Sequence, residues 1–382
     1  MKSGFIIKRT VIIILLLALC AAGAPLSRAE QLQLTSIPCG TAERIIVERA
    51  MRLAFLGDPD GNNTWTPNYS FLACNVDKRY QAGKPENSMP YSRSALFNDT
   101  EFSGLQQYIG WVDADTGMTP SYEYTVANFL SLANTRGSVF DRAAAAAYEA
   151  DENWGALLGS DCSAFLSYAW QIPHMTTYMF ISDAVDFNIC REVPATKGHT
   201  KAYTVQDLKN LLPGDAMICA NISGTDEHGN PLYRGHCIII TDIRLDSRGT
   251  PVEVVTVEEI SPRARVKTRT AEEFLEYANK LHVSGAYYKF YRLISKRHLK
   301  LEIEISYNAE GGRLSDKAVA CVFALTAEGS AVSYADALDP VPERDGYTFL
   351  GWALSPDGEI LSKDSPITTL RDHTLYAVWK EA

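Results

Sequence analysis

One cysteine of this chain sits where a thiol can become a nucleophile. In Gly159-Ser160-Asp161-Cys162-Ser163-Ala164-Phe165-Leu166-Ser167-Tyr168-Ala169-Trp170, Ser160 and Asp161 are good N-caps. Behind them Ala164, Phe165, Tyr168 and Ala169 recur at helical spacing. The pattern predicts a buried helix with Cys162 in its first turn. Unpaired N–H groups and the helix dipole favour negative charge there, so the thiol ionises more easily than a free one, and the thiolate is the reactive form. The plainer alternative is a buried cysteine acting as a small apolar residue. Chemistry therefore requires partners elsewhere in the chain.

A cysteine nucleophile needs a base to take its proton and a third group to orient that base. His236 is the strongest base among seven histidines. It opens His236-Cys237-Ile238-Ile239-Ile240-Thr241-Asp242, an apolar, β-branched run that predicts a buried strand, and Gly235 precedes it. His174, His199, His228, His282, His298 and His373 lie in polar, loop-like or terminal settings without such a platform. The next predicted strand, Val252 to Glu259, ends in Glu258-Glu259. Consecutive strand residues face opposite ways, so only one of the two glutamates faces the imidazole. Glu259 shares a face with Val255 and Val257 and is preferred as the orienting group; Glu258 stays open as its substitute.

The elements that must position these residues point to an α+β fold, helices first and an antiparallel sheet after. Ala42 to Phe55 reads as an amphipathic helix stopped by Gly57. Residues 57–100 are rich in Asn, Asp, Pro, Gly and Ser and read as long irregular structure. Within them Met89-Pro90-Tyr91-Ser92-Arg93 is a turn with a half-buried tyrosine, and Trp65 and Trp111 are packing residues. Ala143 to Tyr148 is helical by alanine content, and a loop at Gly155 to Gly159 leads to Cys162. Leu211-Leu212-Pro213-Gly214-Asp215 is a turn, Ala216 to Ala220 a strand, and Asn221 to Gly235 a polar loop. A helix at Ala271 to Asn279 and a strand at Tyr287 to Leu293 close this part. After the basic break Ser295-Lys296-Arg297-His298, alternating Leu301-Glu302-Ile303-Glu304-Ile305 begins a β-rich module.

Lys2, Lys8 and Arg9 precede an apolar run from Val11 to Ala22, and Ser27-Arg28-Ala29 offers a cleavage site, so residues 1–29 read as a secretory signal peptide. Leu19 before Cys20 disfavours a lipoprotein signal, and the run is short for a membrane anchor. No later stretch is apolar and long enough to span a bilayer. The 382-residue chain has a formal charge of −10; losing the four cations of the leader takes it to −14. Such acidity excludes nucleic acid and anionic membrane surfaces as natural partners. Seven of the eight cysteines survive cleavage, an odd number that leaves at least one unpaired within the chain. Cys219 with Cys237 and Cys39 with Cys74 are conceivable pairs. The cysteines show no paired metal-ligand spacing, so neither metal nor cofactor is implied. Nothing in the sequence sets the oligomeric state.

Asp161-Cys162-Ser163 before an aromatic-rich helix, Pro213-Gly214-Asp215 before a strand, and Gly235-His236 opening another resemble the NlpC/P60 cysteine peptidases and their CHAP amidase relatives. The resemblance covers about residues 40–293. It implies a papain-like α+β core and hydrolysis of amide bonds in peptidoglycan, often in the stem peptide. It also implies that Asp161, Ser163 and Tyr91 help to hold the substrate. A glutamate in the third catalytic position is closer to CHAP than to the histidine of NlpC/P60, and Ala164 stands where the family usually has glycine. Tyr307-Asn308-Ala309-Glu310-Gly311-Gly312, Gly346-Tyr347-Thr348-Phe349-Leu350-Gly351-Trp352 and Leu375-Tyr376-Ala377-Val378-Trp379 resemble the Listeria–Bacteroides repeat, a β-grasp-like module of bacterial surface proteins. Trp352 and Trp379 read as its core rather than as a sugar platform. The expected organisation is a signal peptide at 1–29, a cysteine hydrolase domain at 30–297 with a large insert at about 57–158, and a surface module at 298–382.

Overall fold

A computed structural model describes residues 34–73, 78–91, 129–131, 133–138, 145, 160–172, 175–193, 202–225, 231–282, 285–315, 320–326 and 333–382. The expected leader, Trp111, Cys74, the Gly155 to Gly159 loop and the Ala143 to Tyr148 helix, save Ala145, lie outside the described residues.

Strand β1 (Thr35–Ser36) leads into helix α1 (Thr41–Ala54). Ala42, Ile45, Ile46, Ala50, Leu53 and Ala54 recur at helical spacing and are all buried. The helix ends where Leu56 and Gly57 take positive φ and the Gly57 N–H returns to the Arg52 carbonyl. The polar stretch that follows carries a short hairpin, β2 (Phe71–Leu72) and β3 (Arg79–Tyr80), beside fully buried Trp65.

Next come α2 (Cys162–Trp170), α3 (Thr177–Ile181), α4 (Asp183–Asp186), β4 (Cys190–Glu192) and α5 (Val205–Leu208). Then follow β5 (Ala216–Thr225), β6 (Pro231–Leu245), β7 (Pro251–Ile260), β8 (Arg263–Thr270), α6 (Ala271–Asn279) and β9 (Lys289–Leu293). The strands form one sheet in the order β4-β9-β5-β6-β7-β8, with β1 on β6 and every pairing antiparallel. The chain is therefore a mixed α/β protein, mostly strand, with few helices.

One reading changes and one strand is new. Asn221 to Gly235 is not all loop, because β5 runs on to Thr225 and β6 begins at Pro231, so His236 lies inside β6 rather than at its mouth. The edge strand β8 alternates cations, Arg263, Arg265, Lys267 and Arg269, with residues of which only Ala264 is buried, a pattern without an apolar face to read.

Both faces of the sheet are covered. Cys237, Ile239, Val257 and Ile218 join α1 and α2 on one face. Cys219, Ile238, Ile240 and Val254 join Phe274 and Ala278 of α6 on the other. The turn before β5 is tied down by Asp215, whose carboxylate accepts two 2.7 Å bonds from Arg292 and one of 2.8 Å from the Leu212 N–H. Gly214 there has φ +89, and a Cβ on it would press on Ile46 at 3.3 Å.

A second sheet holds β10 (Lys300–Asn308), β11 (Ala320–Thr326), β12 (Tyr347–Ala353) and β13 (His373–Glu381) in the order β11-β10-β13-β12, with a parallel central pair. Trp352 is buried and Trp379 packs against the same core, and each indole N–H bonds a carbonyl, of Pro340 and Ala309. The module's Leu301, Ile303 and Leu375 continue the apolar cluster of α1 and α2. Buried Arg52 of α1 donates to the carbonyls of Glu302 and Leu370, and the N–H of Lys300 donates to Gln171. No helix among the described residues is long and apolar enough to cross a membrane.

Losing one partner of a buried ion pair strands the other. Arg292→Leu should therefore lower unfolding stability by about 3 kcal/mol, read as an earlier midpoint in urea melts. An unchanged midpoint would show that the turn before β5 does not depend on this pair.

Candidate active site

Helix α2 begins as its residue types require. One oxygen of the Asp161 carboxylate accepts the N–H of Ser163 at 2.8 Å, the N–H of Ala164 at 2.7 Å and the Ser163 hydroxyl at 2.7 Å. Asp161 is the N-cap and Cys162 the first helical residue. The cap uses the N–H groups of the next two residues and leaves that of Cys162 aside. All nine residues of α2 are buried, and Cys162 keeps 6% of its surface open.

Two groups of β6 act on the sulfur of Cys162: the thiol of Cys237 and the imidazole of His236. The Cys237 thiol is the larger influence favouring the thiolate. Burial opposes it, the imidazole adds to it by hydrogen bond and charge, and the Asp161 carboxylate opposes it. The outcome lowers the Cys162 pKa to about 6. Cys237 is driven the other way, by burial first and then by its bond to Cys162 and that neighbour's charge, so it keeps its proton.

His236 is 6% exposed, and its Nε2 is buried without a partner among the described residues. Its ring lies nearly parallel to that of His282, with centroids 6.5 Å apart. Gly235 before it touches its neighbours so closely that a Cβ would stand 2.3 Å from the Cys219 carbonyl oxygen and 2.6 Å from the Thr177 hydroxyl.

The two glutamates of β7 part company. Glu258 lies opposite Ile238 in register and so on the α6 face. It bonds Arg269 at 2.5 Å, Arg265 at 3.3 Å and the Thr256 hydroxyl at 3.1 Å. Burial alone would raise its pKa, but Arg269, His236 and Arg265 together hold it below the usual carboxylate range. Glu259 points to the other face, is fully buried, and neither of its oxygens has a partner among the described residues. Burial, and then the charges of Cys162 and Asp161, push its pKa well up. Neither carboxylate hydrogen-bonds the imidazole; the ionised one beside it is Glu258, not the Glu259 preferred from the sequence.

Of the expected substrate-binding residues, Asp161 and Ser163 adjoin Cys162, with Ser163 turned into the cap. Tyr91 is half-buried and forms a parallel bridge with Ser160, and its N–H donates to the Pro262 carbonyl. It therefore borders the chain that enters α2. The sequence reading passed over Cys237 and Arg269 and set His282 aside. The register puts Cys237, with Ile218, on the face that α2 covers, and His236, with Cys219, on the α6 side. The register also corrects the suggested Cys219–Cys237 pair: Cys219 lies opposite His236, Cys237 lies opposite Ile218, and no disulfide joins them. No group of side chains among the described residues is arranged to hold a metal. A cavity of about 590 Å³ lies along β5 and β9, lined by Tyr203, Cys219, Tyr287, Tyr288 and Tyr291, and reaches neither Cys162 nor His236.

Residues 304–378 match the Listeria-Bacteroides repeat domain, a domain typical of extracellular and surface proteins, over the sheet of β10 to β13. No NlpC/P60 or CHAP family model matches the part of the chain that holds Cys162. No curated protein matches the chain.

The lowered Cys162 pKa has a direct readout. Iodoacetamide should label Cys162 with a rate that rises through a midpoint near pH 6, where a free thiol would rise near 9. Asn caps a helix as well as Asp but carries no charge, so Asp161→Asn should move the midpoint lower without loss of helix. A midpoint that rises, or does not move, would show that the cap's charge is not felt at the sulfur.

Proposed function

We propose that this chain is an exported bacterial cysteine hydrolase that cuts amide bonds in peptidoglycan, either within the stem peptide or as an amidase. One observation carries the reading. A sulfur at the first position of a capped helix lies beside an imidazole and has its pKa lowered to about 6. The resemblance of Asp161-Cys162-Ser163 and Gly235-His236 to the papain-like NlpC/P60 and CHAP enzymes supplies the reaction class. The repeat domain at 304–378 supports a cell-surface setting.

In this mechanism the Cys162 thiolate attacks the amide carbonyl while His236 holds the proton. The unused N–H of Cys162 at the helix start faces the developing oxyanion. His236 then gives its proton to the departing amine and later draws one from the water that releases the acyl group. Glu258, ionised and held by Arg269 and Arg265, stabilises the imidazolium by its charge. Asp161 and Ser163, beside the nucleophile, and Tyr91, at the entry to α2, border the place where the substrate's free amine would sit.

Muropeptides incubated with the wild type should release new amino groups. Cys162→Ala should fall to background and His236→Ala by roughly 10³-fold or more. Equal release by wild type and Cys162→Ala would end this reading and leave a wall-binding protein on the same scaffold.

A further inference from the structure

We propose that the cavity along β5 and β9 binds a short peptide in extended form, which adds to the edge of β5 through hydrogen bonds to the main chain of Ala220. The site uses neither Cys162 nor His236, so it does not rest on the hydrolase reading.

The edge arises because the two strands beside β5 follow it for different lengths. Strand β6 pairs with β5 as far as Thr225, but β9 pairs with it only from Ala216 to Ile218. A Cβ on Gly235 would stand 2.3 Å from the Cys219 carbonyl oxygen, so that carbonyl faces β6. Successive residues of an antiparallel ladder turn their N–H and C=O groups to alternate sides, so those of Ala220 face the side where β9 has ended. Ala220 is 8% exposed, and among the described residues neither group has a hydrogen-bond partner. Buried main-chain groups are nearly always satisfied. These two front a cavity of about 590 Å³, within the range of roughly 300–1,000 Å³ found for small-ligand sites.

The walls of the cavity suit a strand. Tyr203 and Tyr288 belong to the α6 face of the sheet and Tyr291 to the α2 face, while Tyr287 is 61% exposed. Side chains of an extended guest point alternately to the two faces and so meet tyrosines on both. A sugar ring has no such alternation. The hydroxyls of Tyr203 and Tyr288 are already engaged, with the Tyr288 carbonyl and the Tyr277 hydroxyl, each at 2.9 Å. The main-chain pair of Ala220 therefore sets what a guest must offer, one acceptor and one donor, and a single residue of an extended peptide supplies both. By register Cys219 lies opposite His236, so the guest runs beside β5 on the side away from the imidazole's strand.

Calorimetric titration of the full chain tests this, with Cys162→Ala in the background so that no peptide is consumed. The probes are acetyl-trialanine amide, the same peptide methylated at every amide nitrogen, a stem tripeptide from a muropeptide, and chitotriose. One or both unmethylated peptides should bind, and the tighter of the two identifies the source of the natural guest. Methylation removes the guest's donors. Ala220→Pro removes the edge N–H at a position where a strand tolerates proline. Each should weaken binding about tenfold or more. Tyr287→Ala changes an exposed side chain and should weaken binding without moving the urea midpoint. If Ala220→Pro fails to fold, the methylated peptide and Tyr287→Ala decide. Binding of neither peptide, binding indifferent to methylation, or binding of chitotriose alone overturns the inference and leaves the hydrolase reading untouched.

Discussion

One carboxylate oxygen sets the geometry on which the rest of the site depends. Asp161 gathers two backbone N–H groups and a hydroxyl onto a single atom, and this decides where α2 starts and therefore that Cys162 is its first residue. The same anion is a poor neighbour for a thiolate, and its field pushes the Cys162 pKa up. The site resolves the conflict from the other side. A thiol and an imidazole from β6 approach the sulfur and outweigh both burial and the Asp161 charge. Position comes from the helix cap and ionisation from the strand, so neither element makes a reactive sulfur without the other.

The pleat of the sheet distributes the remaining chemistry. His236 and Cys237 are adjacent in sequence but lean to different faces, as are Glu258 and Glu259. On the α6 face, Glu258 meets Arg269 and Arg265, whose attraction exceeds the cost of burying its charge. On the α2 face, Glu259 meets no cation, and two nearby negative charges make ionisation harder still. Identical side chains one residue apart are therefore driven in opposite directions, Glu258 toward the ionised form and Glu259 away from it. An unpartnered buried carboxyl costs roughly 1–3 kcal/mol.

What could be read in advance was local. The start of α2, the extent of α1, and the span Ala271–Asn279 of α6 follow from caps and a 3.6-residue period, which need no knowledge of distant contacts. The aromatic and glycine pattern of the last 80 or so residues was similarly legible, and the family match at 304–378 agrees with it. What escaped was tertiary. Glu259 was chosen because it shares a side with Val257, and it does point into the interior. A sheet covered on both faces has two interiors, however, and the imidazole's ionised neighbour is on the other one. Strand β8 escaped because its cations fill one face and Ala264, Val266, Thr268 and Thr270 leave the other without a continuous apolar row. The arms of the β5–β6 hairpin escaped because polar residues beyond the core still pair through their backbones.

The contacts of Arg52 carry a mechanical consequence. This side chain is almost wholly enclosed, yet its guanidinium ends on carbonyls of the C-terminal sheet, while Arg49 one turn earlier clasps the Tyr168 carbonyl of α2. A tug on the last strands is therefore not absorbed by a slack tether. It passes through α1 to the helix that begins at Cys162, so tension on the repeat module would be felt as a displacement at that helix.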